Sequence, residues 1–305
     1  MSVGPGSGGM KGDFRIKKLL ITGASGFLGW NICRTAYNDW EVYGTVFTHP
    51  VEIEGTKIAQ IDLTDDKKLK GLFNEIRPDA VIHTAAATSP DYCQHNRRKT
   101  QRINVDTSIN IAGYCSDKKI PFVFTSTDLV FDGLHAPYRE EDPVSPINYY
   151  GEQKALAEEG VLKTYPAATV CRMPLMFGEP GPVASSFFQV MLKALGQGTE
   201  LRLFVDEFRT PISGRSAAEG LVLFLNKGEG LIHLGGKERI SRYNFGLLMM
   251  EVLGVKEAKL RRCKQKDVVM AAARAPDVSL DSSKAHSLGF NPLPLREELK
   301  ILLEM

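Results

Sequence analysis

Short apolar runs alternate with longer helical patterns along most of this 305-residue chain. Between the runs, stretches such as residues 28–38, 65–76, 105–117 and 149–162 carry apolar residues at helical spacing and are predicted helices. Alternation of this kind produces right-handed crossovers, in which parallel strands form one sheet with helices on both faces. The sequence therefore predicts an α/β fold with a doubly wound parallel sheet. The predicted strands are residues 18–22, 41–47, 58–62, 80–85, 122–125, 169–172 and 231–234.

The composition excludes several classes of protein. Hydrophobic residues make up 43% and charged residues 24% of the chain, which is typical of globular proteins and not of collagen-like, coiled-coil or disordered chains. The formal net charge is only +2, so we expect no nucleic-acid partner. No run approaches the roughly 20 apolar residues that cross a bilayer, so we expect no membrane partner and a cytoplasmic location. The five cysteines form no CxxC pair, and we predict no metal site.

A glycine-rich turn follows the first predicted strand and leads directly into a predicted helix. Glycines at such a turn let the backbone approach a pyrophosphate, and the helix N-terminus adds amide donors and a partial positive charge. The turn therefore predicts a Rossmann-type dinucleotide site for NAD or NADP. Its candidate cofactor-binding residues are Gly23, Ser25, Gly26, Phe27, Leu28 and Gly29.

The end of the second predicted strand bears on the choice between the two cofactors. NAD sites usually carry an acidic residue there, about 20 residues beyond the glycines, to hold the ribose 2′-hydroxyl. This chain has Thr48 and His49 instead. The absence of a carboxylate, which would repel a 2′-phosphate, favours NADP over NAD. Asp62, followed by Leu63, is a candidate acceptor for the adenine amino group or, alternatively, a helix cap ahead of Asp65.

The regular alternation loosens after Arg172, where three prolines and two glycines fall within nine residues. We expect a smaller C-terminal substrate-binding lobe that interleaves with the sheet domain, because one more predicted strand follows at residues 231–234. Residues 1–14, rich in glycine, are expected to be a flexible leader. The expected divisions are a dinucleotide-binding domain at 15–173, a return to the sheet at about 211–235, and the smaller lobe at 174–210 and 236–305.

Tyr150 and Lys154 lie four residues apart at the start of a predicted helix, so their side chains share one helix face. An ammonium near a phenol favours the phenolate and lowers its pKa from about 10, which prepares the tyrosine for acid–base chemistry. The preceding strand ends in Ser126 and Thr127, and the carboxyl edge of an open α/β sheet is where ligands bind. The pattern predicts that one of these hydroxyls hydrogen-bonds a substrate oxygen.

These motifs together resemble the extended short-chain dehydrogenase/reductase family. The resemblance rests on the glycine turn, the alanines at 85–87, Ser126-Thr127-Asp128 and the Tyr150/Lys154 pair, and covers nearly all of the chain after the leader. Residues 126–133, 137–142 and 150–154 look like the dTDP-4-dehydrorhamnose reductase branch. The branch usually has a tyrosine in place of Leu129, and a tryptophan in place of Leu175 or Met176. Dehydratases of the wider family would have a glutamate at position 129, so water elimination is disfavoured.

The resemblance implies hydride transfer from the nicotinamide to the C4 ketone of a nucleotide-linked sugar. Tyr150 would donate the proton, Lys154 would hold the nicotinamide ribose and lower the tyrosine pKa, and Thr127 would polarise the carbonyl. Asp128 would lie beside the substrate, and Arg209 is the candidate for a phosphate contact. The implied catalytic residues are Thr127, Tyr150 and Lys154. Further implied cofactor contacts are Ala85, Ala86, Ala87, Asn104, Thr125, Tyr150 and Lys154. The implied substrate contacts are Ser126, Thr127, Asp128, Leu175 and Arg209.

Two other functions stay open on the sequence. The branch also resembles the regulatory subunit of methionine adenosyltransferase, which would make this chain a cofactor-binding subunit with a protein partner. An epimerase of nucleotide-linked sugars, with cofactor that is not consumed, is the third possibility. Fold analogy with relatives that pair through two helices further suggests a homodimer.

Overall fold

The computed structural model describes residues 15–184, 186–257 and 259–304. The predicted leader at residues 1–14 lies outside the described residues. The α/β prediction is confirmed by a parallel sheet of seven strands in the order β11-β6-β5-β4-β1-β2-β3. The strands are β1 Lys18–Thr22, β2 Glu41–Val46, β3 Thr56–Gln60, β4 Ala80–His83, β5 Phe122–Thr127, β6 Thr169–Met173, β7 Met176–Phe177, β8 Leu201–Phe204, β9 Phe208–Arg209, β10 Ile212–Ser213, β11 Gly230–His233, β12 Ile240–Ser241 and β13 Leu260–Cys263.

Helices cover both faces of this sheet, as a doubly wound fold requires. On one face, Ile32 of α1 and Leu221 of α8 share an apolar core with Ile21 of β1. On the other face, Phe73 of α2 and Ile111 of α5 belong to a second core, together with part of α6. The helices are α1 Phe27–Ala36, α2 Asp66–Ile76, α3 Pro90–His95, α4 Arg97–Gln101, α5 Thr107–Lys118, α6 Tyr149–Thr164, α7 Phe187–Gln197, α8 Gly214–Lys227, α9 Arg242–Leu253, α10 Ser283–Ser287 and α11 Leu295–Glu304.

The central strands are continuous apolar runs because they are buried on both faces. All four residues of β4 and all six of β5 are buried. The boundaries differ modestly from the predicted ones: β5 extends two residues further, to Thr127, whereas β4 ends two residues earlier, at His83. Beyond β4 the chain is held by Thr22, whose carbonyl oxygen accepts a hydrogen bond from the Thr84 hydroxyl at 2.6 Å. This contact turns the chain toward the carboxyl edge of the sheet.

The helix predicted to begin at residue 105 begins earlier and is interrupted. It consists of α4, a π-helical turn at Arg102–Asp106, and α5. A π-helical turn accommodates one extra residue per turn, and such turns are frequent at functional sites. The interruption includes the buried residues Asn104 and Val105.

A third apolar core lies outside the sheet. Phe188 of α7, Phe245 of α9 and Leu299 of α11 pack together in it. The chain leaves the sheet after β6 and returns with β11, which pairs in parallel with β6 from Gly230↔Thr169 to His233↔Arg172. The exact boundaries of the two lobes stay predictions.

A buried ion pair joins α6 to β6. The Arg172 guanidinium donates from Nη2 to Glu158 Oε2 at 2.8 Å and from Nε to Glu158 Oε1 at 3.1 Å, and both side chains are almost fully buried. The Arg172 guanidinium also lies 4.9 Å from the centroid of the Phe131 ring. Removing one member of such a pair leaves an uncompensated charge inside the protein.

We therefore expect Glu158→Ala to lower the free energy of unfolding by about 3–5 kcal/mol. Urea denaturation followed by circular dichroism measures this value. The neighbouring Glu159 is exposed, so Glu159→Ala is the matched control and should change the free energy by no more than about 0.5 kcal/mol. Similar values for the two variants would contradict a structural role for the buried pair.

Candidate active site

The glycine turn brings β1 and α1 into close contact. Gly23 has φ +75°, a conformation that favours glycine, and a Cβ there would lie 2.8 Å from the Cα of Ala85. A Cβ on Gly29 would overlap the carbonyl oxygen of Gly23. The Gly26 amide donates to this same oxygen at 2.9 Å. Only glycine therefore allows the helix to begin so close to the strand.

The N-terminus of α1 is open toward a cleft of about 1140 Å³ at the carboxyl edge of the sheet. Gly26 is the N-cap residue, and no side chain caps the first amides of the helix, which also has no acidic residue in its first turn. Unsatisfied amides at a helix N-terminus bind anions. The turn thus fits the diphosphate of a dinucleotide. The turn residues that line the cleft are Gly23, Ser25, Gly26, Phe27, Leu28 and Gly29.

One end of the cleft is formed where β2 and β3 terminate. Thr48, Asp62 and Leu63 line it, whereas His49 is exposed outside the lining and shares a 2.8 Å hydrogen bond with the Thr48 hydroxyl. Asp62 accepts hydrogen bonds from the amide and the hydroxyl of Thr64, at 2.9 and 2.7 Å. The cap of α2 is Asp65, which accepts from the amides of the first turn. Asp62 is therefore not the helix cap, and one of its two carboxylate oxygens takes part in the turn to Thr64.

The middle of the cleft is walled by the segment after β4. Ala85, Ala86 and Ala87 line it. Asn104 does not line the cleft but is fully buried behind this wall, where its Oδ1 accepts from the Ala87 amide at 2.8 Å and its Nδ2 donates to Gln153 at 2.8 Å. Asn104 thus shapes the cleft through the alanine segment.

The other end of the cleft brings together the residues expected to carry the chemistry. Thr125, Ser126, Thr127, Asp128, Tyr150 and Lys154 all line it. The Thr127 hydroxyl donates to Asp128 Oδ1 at 3.1 Å and accepts from the Leu129 amide at 3.2 Å. Lys154 Nζ donates to the carbonyl oxygen of Thr125 at 2.5 Å. The end of β5 and the first turn of α6 therefore form one polar surface.

Close packing at Gly151 explains why Tyr150 reaches Thr127. A Cβ on Gly151 would overlap the carbonyl oxygen of Leu129, so α6 starts against the loop that follows β5. Asn148 caps this helix by accepting from the Gly151 amide at 2.9 Å. The sequence analysis missed both residues, although Asn148 precedes the helix at a recognisable capping position.

Burial dominates the protonation of this end of the cleft. Desolvation lowers the pKa of Lys154 to about 7, while the nearby Glu158 opposes the shift. Desolvation also raises the pKa of Tyr150, with further contributions from Cys93 and Asp128. The direction differs from the lowering predicted from the Tyr150/Lys154 spacing, because the loss of water around the phenol is the largest effect on its pKa. Thr127 acts in the opposite direction and lowers the pKa of Tyr150.

Asp128 connects the cleft to a buried cluster of charges. Its Oδ2 lies 3.7 Å from Nε of Arg209, and Nη2 of Arg209 lies 3.9 Å from Glu207. Arg209, the expected phosphate ligand, is buried, donates to the Ala275 carbonyl at 3.0 Å and does not line the cleft. Burial raises the pKa of Asp128 to about 6, against the opposing charge of Arg209. Arg209 thus acts on Asp128 in this structure and does not face the cleft.

Two further observations concern the substrate side. The Ser126 hydroxyl is buried without a hydrogen-bond partner among the described residues, so it is available to a ligand. The adjacent wall is apolar and includes Leu175, which was expected there, together with Leu129 and Met176. This combination of one free hydroxyl and an apolar wall suits a sugar ring, which has polar edges and apolar faces.

The cleft also contains cations that the sequence analysis did not assign to a site. Arg98, Lys99 and Arg102 line it, and the charge of Arg102 acts on Asp62. The four-residue spacing of the two arginines was the only available signal in the sequence. It could not be used, because the helix predicted in this region began at residue 105.

Searches for other kinds of site were negative within the described ranges. No group of three or more His, Cys, Asp or Glu side chains there could hold a metal ion. None of the helices described combines the length and the apolar character that a membrane span needs.

The fold and the site define a class: α/β proteins with a dinucleotide-type glycine turn and a Thr/Tyr/Lys set at the carboxyl edge of a parallel sheet. The family model described as "RmlD substrate binding domain" matches residues 17–305, and the chain belongs to this family. The resemblance to the dTDP-4-dehydrorhamnose reductase branch of the extended short-chain dehydrogenases/reductases is thereby confirmed.

Three relatives illustrate the range of the family. The chain is 28% identical over 282 residues to methionine adenosyltransferase 2 subunit beta of Pongo abelii, covering 90% of this chain and 83% of that one. It is 30% identical over 288 residues to a probable low-salt glycan biosynthesis reductase of Haloferax volcanii, covering 92% and 96%. In structure it is similar to dTDP-4-dehydrorhamnose reductase from Bacillus anthracis in complex with NADP, with a TM-score of 0.85, 21% identity and coverage of 95% and 99%.

Asp128 provides a test of the electrostatics at this site. Its pKa is raised from 3.8 to about 6, so the unfolded chain releases this proton at lower pH than the folded one. The protonated Asp128 carboxyl therefore stabilises the folded protein below about pH 4. This contribution to the free energy of unfolding is lost as the pH rises through about 6. Relative to Asp128→Asn, the wild type should therefore lose about 2 kcal/mol of unfolding free energy between pH 4 and pH 7.

Urea denaturation across this pH range measures the difference between the two proteins. Asp132→Asn is the control of opposite sign, because the hydrogen bond from Tyr138 lowers the pKa of Asp132. Parallel stability profiles for the wild type and Asp128→Asn would show that Asp128 is ionised normally and would refute the assignment.

Proposed function

We propose that this protein is an NADP-dependent reductase that transfers hydride to the keto group of a nucleotide-linked sugar. The observation that carries the proposal is the convergence of Thr127, Tyr150 and Lys154 in the same cleft as the glycine turn. The named functions of the Haloferax and Bacillus proteins support a reductase. The cleft fits a dinucleotide, because its glycine cradle leaves no room for side chains and the amides of α1 are uncapped.

The side chains at the reactive end of the cleft have separate roles in the proposed reduction. The bound nicotinamide supplies the hydride. Tyr150 donates its phenolic proton to the carbonyl oxygen. The Thr127 hydroxyl, whose single proton points to Asp128 in this structure, turns to donate it to that oxygen. Lys154 is held by Thr125 at the base of the cleft, where its charge favours the phenolate that remains after proton transfer. Leu129 and Leu175 exclude water from one side of the substrate.

A second function has a specific observation in its favour. The identity to the beta subunit of methionine adenosyltransferase, 28% over 282 residues, is close to the 30% over 288 residues for the reductase of Haloferax volcanii. On this alternative the chain binds a dinucleotide and acts on a protein partner without turnover. A sugar-nucleotide epimerase is the third alternative and would use the cofactor without consuming it.

Loss of absorbance at 340 nm measures the reductase reaction. Purified protein is incubated with NADPH, and separately with NADH, against a panel of nucleotide-linked 4-keto sugars. Tyr150→Phe should reduce kcat by about 10²–10⁴-fold, because it removes the general acid. The neighbouring Tyr149 contacts Arg97 and Gln101 outside the cleft lining, so Tyr149→Phe should retain activity.

The outcomes separate the functions. Consumption of NADPH that is lost in Tyr150→Phe and kept in Tyr149→Phe supports the reductase. Binding of NADPH without turnover of any sugar favours the regulatory function. Conversion of a sugar nucleotide without net loss of NADPH favours the epimerase.

A further inference from the structure

We propose that Arg98, Lys99 and Arg102, named here the cation cluster, bind the 2′-phosphate of NADP and make the protein selective for the phosphorylated cofactor. The inference rests on the dinucleotide binding in the proposed function, but not on catalysis. The selectivity for NADP over NAD is thereby assigned to the segment between β4 and α5. The sequence analysis had considered only the end of β2 for this role.

Arg98 and Lys99 of the cation cluster lie on α4, and Arg102 is the first residue of the π-helical turn. Arg98 and Arg102 are four residues apart, and Lys99 lies three residues before Arg102, so the three side chains share one face of the segment. All three are exposed, and all three line the cleft. Arg97 takes a different direction, and its guanidinium lies 4.8 Å from the centroid of the Tyr149 ring. The segment thus presents three of its four basic residues to the cleft.

No carboxylate of the described residues forms an ion pair with the cation cluster. None of the ion pairs found between the residues that the structure describes includes Arg98, Lys99 or Arg102. Like charges at this helical spacing repel one another, so the arrangement is unfavourable in the absence of an anion. A cleft lined with one sign of charge raises the local concentration of ligands of the opposite sign. The cluster therefore indicates an anionic ligand.

The neighbours of the cluster indicate which part of a dinucleotide it meets. Arg102 and Asp62 line the same cleft. Burial opposes the ionisation of Asp62, but hydrogen bonds from Thr64 and the charge of Arg102 lower its pKa. Asp62 follows β3, next to the end of β2, and this is the adenosine end of a Rossmann-type site. Tyr150 and Lys154 mark the opposite, reactive end of the cleft.

The end of β2 presents Thr48 and no carboxylate to the cleft. A 2′-phosphate is therefore not repelled from this strand end. A phosphate monoester carries between one and a half and two negative charges near neutral pH, and guanidinium groups bind it with two parallel hydrogen bonds. The diphosphate is common to NAD and NADP and already has the uncapped amides of α1. The additional phosphate of NADP is the group that matches the additional cations.

Titration calorimetry with NADPH and NADH tests the proposal on the full chain. For Arg102→Gln we expect the dissociation constant for NADPH to rise about 10- to 100-fold, as for the loss of charged hydrogen bonds. The dissociation constant for NADH should stay within about twofold. The double variant Arg98→Gln/Arg102→Gln should lose most of the discrimination, and the affinity for NADPH should fall more steeply with added salt in the wild type than in this variant.

Lys68→Gln is the matched control. Lys68 also acts electrostatically on Asp62 but does not line the cleft, so both dissociation constants should be unchanged. Equal weakening of NADPH and NADH in Arg102→Gln would overturn the proposal, because the arginine would then contact the adenine or the diphosphate. Unchanged binding of both cofactors would overturn it as well. Each variant replaces an exposed side chain, and its thermal unfolding should match that of the wild type.

The two proposals fail in distinguishable ways. If the wild type binds NADPH selectively but reduces no sugar, the reductase proposal fails and the cation cluster is still supported. If the wild type binds neither dinucleotide, both proposals fail. If it reduces a sugar equally well with NADH and NADPH and binds both equally, only the selectivity proposal fails.

Discussion

The contact between the backbones of Gly23 and Gly29 is the constraint on which the rest of the site depends. It lets α1 begin directly above the carboxyl end of β1, a central strand of the sheet, so that the free amides of the helix face the cleft. Any side chain at Gly29 would push the helix away from the strand. The same turn packs against Ala85, which ties the phosphate-binding region to the segment that follows β4.

A second close backbone contact positions a helix at the reactive end of the cleft. Gly151 lies against the backbone of Leu129, and this proximity brings the first turn of α6 to the end of β5. Tyr150 and Lys154 are thereby buried, and the resulting loss of hydration moves their pKa values in opposite directions. Both ends of the cleft thus depend on glycines that allow a helix to approach a strand or a loop.

Buried and exposed cationic side chains have different roles in this protein. Arg172 and Arg209 are buried and engaged, the former with Glu158 and the latter with Asp128 and backbone carbonyls. The cation cluster is exposed, unpaired among the described residues and directed into the cleft. Charges of the first kind hold elements of the fold together, whereas charges of the second kind are available to a ligand.

The sequence by itself determined the sheet, the glycine turn and the Tyr150/Lys154 pair, because each is a local pattern: strand and helix periodicity, glycine spacing, or a separation of one helical turn. Most candidate site residues follow from it, since strands of a parallel sheet end at one edge. Only the tertiary structure decided that Arg209 is turned toward Asp128, that Asn104 lies behind the wall of the cleft, and that the cation cluster faces the cleft. Side-chain direction at these positions depends on contacts with residues distant in sequence and on a π-helical turn, neither of which has a local signal.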